Sequence, residues 1–151
     1  METEARVSLI KISDQYFAIE IKYIREVLPL PQVTKVPNVE KQFLGVFNLR
    51  GKIVPLIDIS PILKLQNMTL EPDHFVIYCL VNGKYAGILA EKVLEMRDLE
   101  TEQLHVPGAE VNPDLLPYIS AIYEETQYGT IYVLDMVSIF ESAELNRYRF
   151  E

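Results

Sequence analysis

The chain has one cysteine, no tryptophan and two histidines, and each scarcity removes a class of protein. A single thiol cannot close an internal disulfide, so the fold has to hold without a covalent staple. Cys79 lies inside the apolar run from Phe75 to Val81, where a cysteine acts as a small buried hydrophobe. His74 and His105 stand away from any cysteine or carboxylate at metal-ligand spacing. With no phosphate loop, no serine-centred elbow and no Cys-x-x-Cys pair, the sequence offers no recognisable catalytic set, and no cofactor or metal is expected. Long apolar runs are missing too: nothing approaches the roughly 18 residues of a membrane span. The N-terminal METEARVSLIKIS is acidic where a signal peptide is basic. A cytoplasmic protein without direct membrane insertion is expected. Basic residues are also short, 14 Lys and Arg against 22 Asp and Glu for a net charge of −8. That balance disfavours nucleic acid, whose affinity comes from clustered cations releasing counterions.

What is present is apolar material for one domain. At 151 residues, 49% hydrophobic and 24% charged, the chain is globular in composition. A domain of that length buries about 68–70% of its unfolded surface. β-Branched and aromatic residues dominate the runs, which favours strands. The stretch FLGVFNLRGKIVPLIDISPIL, from Phe43 to Leu63, organises the rest: two apolar runs flank Arg50-Gly51, the signature of a tight hairpin. Asp58 then precedes Ile59, Ile62 and Leu63 at helical spacing and is expected to cap one short helical turn. Tyr118 to Phe140 repeats the plan. Runs Ile119 to Tyr123 and Ile131 to Leu134 flank Gln127, Tyr128 and Gly129, and Asp135 precedes Met136, Ile139 and Phe140. Placing Asp58 over Asp135 matches apolar with apolar at most positions and points to two β units built alike.

Other segments follow the same logic. Val7 to Ile12 and Tyr16 to Ile21 form a hairpin around Asp14-Gln15, and Phe75 to Val81 pairs with Lys84 to Ala90 around Asn82-Gly83. Ile24, Val27 and Leu28 fall at i, i+3, i+4, which predicts a short helix stopped by Pro29 and Pro31. Val33 to Val36 is strand-like, Pro37-Asn38 turns the chain, and Glu91 to Met96 alternates. The polar LQNMTLEPD, residues 65–73, divides the chain into subdomains 14–66 and 73–140, with terminal segments completing each. Residues 100–117 are expected to form a loop, and residues 141–151 a short helix or a frayed end.

Asp58 and Asp135 have the composition of paired catalytic acids, but a capping role accounts for each. Arg50 is a turn arginine, and most of those are solvated tips. Its apolar flanks set the guanidinium beside a hydrophobic rim, the composition of a protein interface. The apolar stripe Ile24 and Val27 is either core or docking groove.

Taken together, FAIEIKYIREVLPLPQVTKVPNV and FLGVFNLRGKIVPLIDI resemble the CheW-like coupling domains of bacterial chemotaxis, in the pattern Gly-Val-x-Asn-Leu-Arg-Gly followed by Ile-Val-Pro-φ-φ-Asp. KYAGILAEKVLEM and TIYVLDMVSIF are similar to the second half of that family, so the resemblance covers nearly the whole chain. It implies a mainly β fold of two small SH3-like five-stranded barrel subdomains on a shared core, with a few short helices. It also implies a non-enzymatic adaptor that bridges the regulatory domain of a CheA-type histidine kinase to the cytoplasmic tip of chemoreceptors. By motif match, Gly45, Val46, Asn48, Leu49, Arg50 and Gly51 are the expected partner-binding residues, with Ile24 and Glu26 on the preceding segment. One departure is Ala90-Glu91, where the family has Val-Asp. The rival readings are an adaptor of a type IV pilus or twitching-motility pathway and a small β-barrel ligand-binding protein, which needs a deep pocket with clustered titratable groups.

Overall fold

Three tight hairpins set the local architecture. Ser13-Asp14 (φ 49° and 65°), Arg50-Gly51 (50° and 89°) and Asn82-Gly83 (49° and 81°) each hold both central residues at positive φ. This two-residue turn has the twist that matches right-handed strands. The computed structural model describes residues 3–37, 39–142 and 145. Among them the hairpins join β1 (Thr3–Ile12) to β2 (Gln15–Glu20), β4 (Phe43–Leu49) to β5 (Lys52–Ile57) and β6 (Phe75–Val81) to β7 (Lys84–Ala90). The remaining elements are β3 (Ile24–Pro29), β8 (Lys92–Glu100), β9 (Ile119–Glu125), β10 (Gly129–Leu134) and the helix α1 (Met136–Phe140). The first turn sits one residue earlier than Asp14-Gln15, because Ile12 pairs with Gln15.

The strands form two five-stranded sheets, ordered β8-β1-β2-β10-β9 and β3-β6-β7-β5-β4. The two orders are the same plan. Substituting β8, β9, β10, β1, β2 for β3, β4, β5, β6, β7 converts the second into the first, and the parallel pairs agree, Val133 with Ala18 and Leu56 with Gly87. Each sheet curls so that its first strand continues past the sheet and meets the opposite edge. Thr34 and Val46 exchange both backbone hydrogen bonds at 2.8 and 2.9 Å, and His105 and Ile122 do the same at 2.9 and 3.0 Å. These single bridges close two small barrels.

The partition at 65–73 is therefore corrected. One barrel takes residues from Ile24 to Ala90 without a break, and the other combines β1 and β2 with β8, β9 and β10. Units 14–66 and 73–140 do not correspond to either, since strand pairing rather than the polar loop decides which segments share a sheet. The helix expected over Ile24, Val27 and Leu28 is also absent: these residues lie in β3, preceded by a single 3-10 turn at Ile21–Tyr23. Six residues before a proline are too few to repay helix nucleation, whereas the edge of β6 offers hydrogen-bond partners to a strand rich in β-branched residues. Val33 to Val36 contributes the one bridge at Thr34. The 100–117 region holds two 3-10 turns, Thr101–Gln103 and Leu116–Tyr118. Leu145 is buried, while Asn38, Tyr148 and Phe150 lie outside the described residues.

The capping aspartates act as the sequence implies. Asp135 Oδ1 accepts from the Ser138 amide at 3.0 Å at the start of α1. Asp58, buried, accepts from the Ser60 amide (2.9 Å) and hydroxyl (2.6 Å) and from the Met68 amide (3.0 Å), so it caps one turn and also pins the following loop. That turn ends with Lys64 at φ 59°, Leu65 N bonding Ser60 O and Lys64 N bonding Pro61 O. Glu91, the departure from the family pattern, accepts from the Asp14 amide at 2.8 Å and so secures the β1–β2 turn.

Burial occupies three compartments. Val7, Leu9, Ala18, Leu99, Tyr123, Ile131 and Val133 fill one barrel, and Phe47, Val54, Leu56, Val76, Tyr78 and Leu89 fill the other. Between them lies a larger core that includes Ile10, Ile12, Phe17 and Ile19 from one barrel and Ile57, Ile77, Cys79 and Ile88 from the other. Strands facing a core on both sides carry continuous apolar runs rather than alternation, which is why Phe75 to Val81 lacks a period. Two glycines permit the closest approaches. A Cβ on Gly45 (φ 144°) would meet Thr34 O at 2.4 Å, and one on Gly87 would meet the Phe47 ring at 2.8 Å.

Gly45→Ala is expected to lower unfolding free energy by about 3 kcal/mol, because both backbone strain and the barrel-closing carbonyl oppose it. Gly83→Ala, with open space around it, should lose only about 1 kcal/mol from its positive φ. Urea denaturation of both variants measures the difference. Burial pushes the Cys79 thiol up to about 12, so a disulfide reagent at pH 8 should label it only at the rate of unfolding.

Candidate protein-docking site

The β4–β5 hairpin ends in a turn held from inside. Asn48 Oδ1 accepts from the Gly51 amide at 2.7 Å, fixing the positive-φ pair that carries Arg50 outward. The guanidinium then reaches Glu26 on β3 by two bonds, Nη2 to Oε1 at 2.6 Å and Nη1 to Oε2 at 3.3 Å. β3 and β4 are opposite edges of the same sheet, so this fork spans the mouth of the closed barrel. Arg50 keeps 70% of its side-chain surface exposed and Glu26 33%. The hydrogen bond from Arg50, and its charge, hold the Glu26 carboxyl below the usual glutamate value.

Beside the fork is an aromatic floor. Tyr78 and Tyr85 stack at 5.7 Å between centroids and 13° between planes, and Lys52 Nζ lies 3.0 Å from the Tyr85 centroid. Ile53 (61% exposed) and Val27 (41%) leave large apolar side chains in solvent on the same barrel.

The eight residues expected to bind partners divide by what the fold asks of them. Gly45 and Val46 close the barrel, with Val46 bonded to Thr34. Asn48 and Gly51 form the turn. Leu49 packs against the inner barrel core and Ile24 against the shared core. Only Glu26 and Arg50 project charge. Ile53, Lys52 and the two tyrosines escaped the sequence reading, since the continuous run from Ile53 to Ile57 hid the alternation that turns Ile53 outward and Val54 inward.

The second barrel repeats the geometry with other chemistry. Val27 pairs with Ile77 and Met96 with Ser8 at equivalent positions beside the same kind of bulge, so Glu95 stands where Glu26 does. Glu95 also reaches the tip of the facing hairpin, but there it accepts from the Tyr128 hydroxyl at 2.7 and 2.8 Å. A guanidinium crowns one barrel and a phenol the other.

Comparison with known proteins places this architecture. The model of the CheW-like domain matches residues 6–144. The chain belongs to the CheW-like domain family. A probable chemotaxis protein CheW of Rhizobium etli is 30% identical over 105 residues, spanning 70% of this chain and 67% of that protein. The chemotaxis protein CheW of Treponema pallidum is 26% identical over 144 residues, 91% of this chain and 82% of its own. The crystal structure of the scaffolding protein TtCheW from Thermoanaerobacter tengcongensis superimposes with a TM-score of 0.79 at 21% identity, covering 93% of this chain and 94% of that one, and shows the same fold. In this CheW-like chain the Gly-Val-x-Asn-Leu-Arg-Gly motif is the barrel-closing strand and its hairpin tip.

Glu26 should titrate below an ordinary glutamate in a carboxyl NMR experiment, and Arg50→Gln should bring it back up. Because the folded-state value is the depressed one, the pair's contribution to stability is present above the unfolded glutamate value and is lost as pH falls through the folded one. Solvent screening at the exposed Arg50 guanidinium keeps that contribution small.

Proposed function

We propose that this CheW-like chain is a non-enzymatic chemotaxis adaptor, working in the cytoplasm, that couples chemoreceptors to a CheA-type histidine kinase. Family membership across residues 6–144 carries the reading. No helix among the described residues is long and apolar enough to cross a membrane.

The hairpin face supplies the means. An exposed ion pair adds little to stability, but a two-bond fork fixes direction, so Glu26 presents the Arg50 guanidinium at a set angle on the barrel that also exposes Ile53 and Val27. A positioned cation with apolar neighbours has the makeup of a binding hot spot. Arg50, Glu26 and the flanking apolar residues receive a partner, either the kinase regulatory domain or the helical tip of the receptor, while the other barrel remains available for the second. The shared core makes the two barrels one body, so a displacement imposed on one is passed to the other only while both contacts hold.

Sedimentation velocity tests this with the chain alone and mixed with the regulatory domain of a CheA-type kinase from the same genome. A faster complex in the mixture is expected. Arg50→Glu, which sets a second carboxylate against Glu26, should abolish or weaken it if Arg50 lies in that contact. An unchanged complex in the variant would remove Arg50 from the kinase contact, and no complex at all would count against the adaptor reading.

A further inference from the structure

The tip of the β6–β7 hairpin sets an asparagine directly before a glycine, Asn82-Gly83. In that dipeptide the backbone nitrogen of the second residue can attack the side-chain carbonyl of the first, because no Cβ stands in the way. Both residues are exposed. Among the described residues nothing hydrogen-bonds to the Asn82 carboxamide or to the Gly83 amide, so the electrophile and the nucleophile are both unoccupied. The turn holds Asn82 at φ 49° and Gly83 at 81°. A Cβ built on Gly83 would meet nothing within 4 Å, which leaves room for the peptide plane to rotate and bring the nitrogen against Asn82 Cγ.

The other described asparagines are each blocked by a contact or by the residue that follows. Asn48 has its carboxamide oxygen held by the Gly51 amide at 2.7 Å and is followed by Leu49, whose side chain packs on the barrel core. Asn67 is followed by Met68, whose amide already donates to Asp58 Oδ2 at 3.0 Å. Asn112 accepts from the Asp114 amide at 2.9 Å and is followed by Pro113, which has no N–H to give up.

We infer that Asn82 is a site of spontaneous covalent modification, deamidation through a cyclic imide with Gly83. The Gly83 nitrogen loses its proton to hydroxide and bonds to Asn82 Cγ. The Cγ–Nδ2 bond then breaks, and the nitrogen leaves as ammonia, taking a proton back from water. Water opens the ring at either carbonyl and leaves aspartate or isoaspartate at position 82. The product alters the junction of the barrels. Asn82 shares a cavity of about 120 Å³ with Val137 and Phe140 of α1 and with Glu141 just beyond it, so the new carboxylate lines the same cavity as Glu141. Isoaspartate also routes the main chain through the side chain, adding an atom to a tight turn between β6 and β7, two strands that face the shared core. This chemistry is independent of the adaptor reading and of the Arg50 face.

The test is incubation of the intact folded chain at mildly alkaline pH, followed by anion exchange and by peptide mapping with mass spectrometry. An acidic form should accumulate, with the exchange of amide nitrogen for oxygen placed at Asn82 and isoaspartate as the larger product. A parallel incubation in guanidinium chloride gives the rate of the unfolded chain, and the folded chain should react within about tenfold of it, a difference of no more than ~1.4 kcal/mol in barrier. Gly83→Ala should slow the reaction by at least about tenfold. Asn82→Gln should remove the acidic form. An Asn82 that stays intact in the folded chain while it deamidates in the unfolded one, equal modification at Asn48, Asn67 or Asn112 in the folded chain, or an unchanged rate in a folded Gly83→Ala variant would each overturn the proposal. Should that variant unfold, the comparison of folded and unfolded native chain decides alone.

Discussion

The shared core between the barrels is the constraint on which the rest depends. Ile10, Ile12, Phe17 and Ile19 meet Ile57, Ile77, Cys79 and Ile88 there, all fully buried, while the alternate residues of the same strands fill the barrel interiors. A small five-stranded barrel has a modest interior, and neither barrel is asked to supply the whole core. Burying both faces of the central strands gives a chain without disulfides enough apolar contact, at roughly 25 cal/mol per Å², to offset its conformational entropy. It also forbids register slips, since moving any central strand by one residue exchanges the contents of two cores.

Within that frame the two barrels repeat one construction closely enough to separate architecture from function. Both have a bulged first strand, a single closing bridge and a hairpin ended by a capping aspartate. Both send a glutamate from the first strand to the facing hairpin tip. The difference lies in the group that the glutamate meets. The tip tyrosine pairs with Tyr16, rings 5.1 Å apart, and stays with its own barrel, whereas the arginine stands out into solvent.

What the sequence made legible was local. Turn chemistry at Arg50-Gly51 and Asn82-Gly83, and the caps Asp58 and Asp135, depend on residues a few positions apart, and all four appear as read. The repeat of the two hairpins was visible for the same reason. What depended on distant partners was not. Ile24, Val27 and Leu28 have helical spacing, but the edge of β6, some 50 residues away, makes them a strand. The division into barrels follows pairing between β2 and β10, which no local pattern announces. The family motif singled out Arg50, and the segment before it Glu26; that the two touch across a barrel mouth follows only from closure by Thr34 and Val46.

The rotated strand order also has a consequence for synthesis. Every strand of the barrel spanning Ile24 to Ala90 has been made by the time Ala90 leaves the ribosome. The other barrel has two strands made before that point whose central neighbour, β10, is translated only after it. The β1–β2 hairpin must therefore wait, its apolar faces uncovered, while the inserted barrel folds beside it. The finished inner barrel then offers the shared-core surface as a template, and the long loop between β2 and β10 is closed against an ordered wall rather than across free chain.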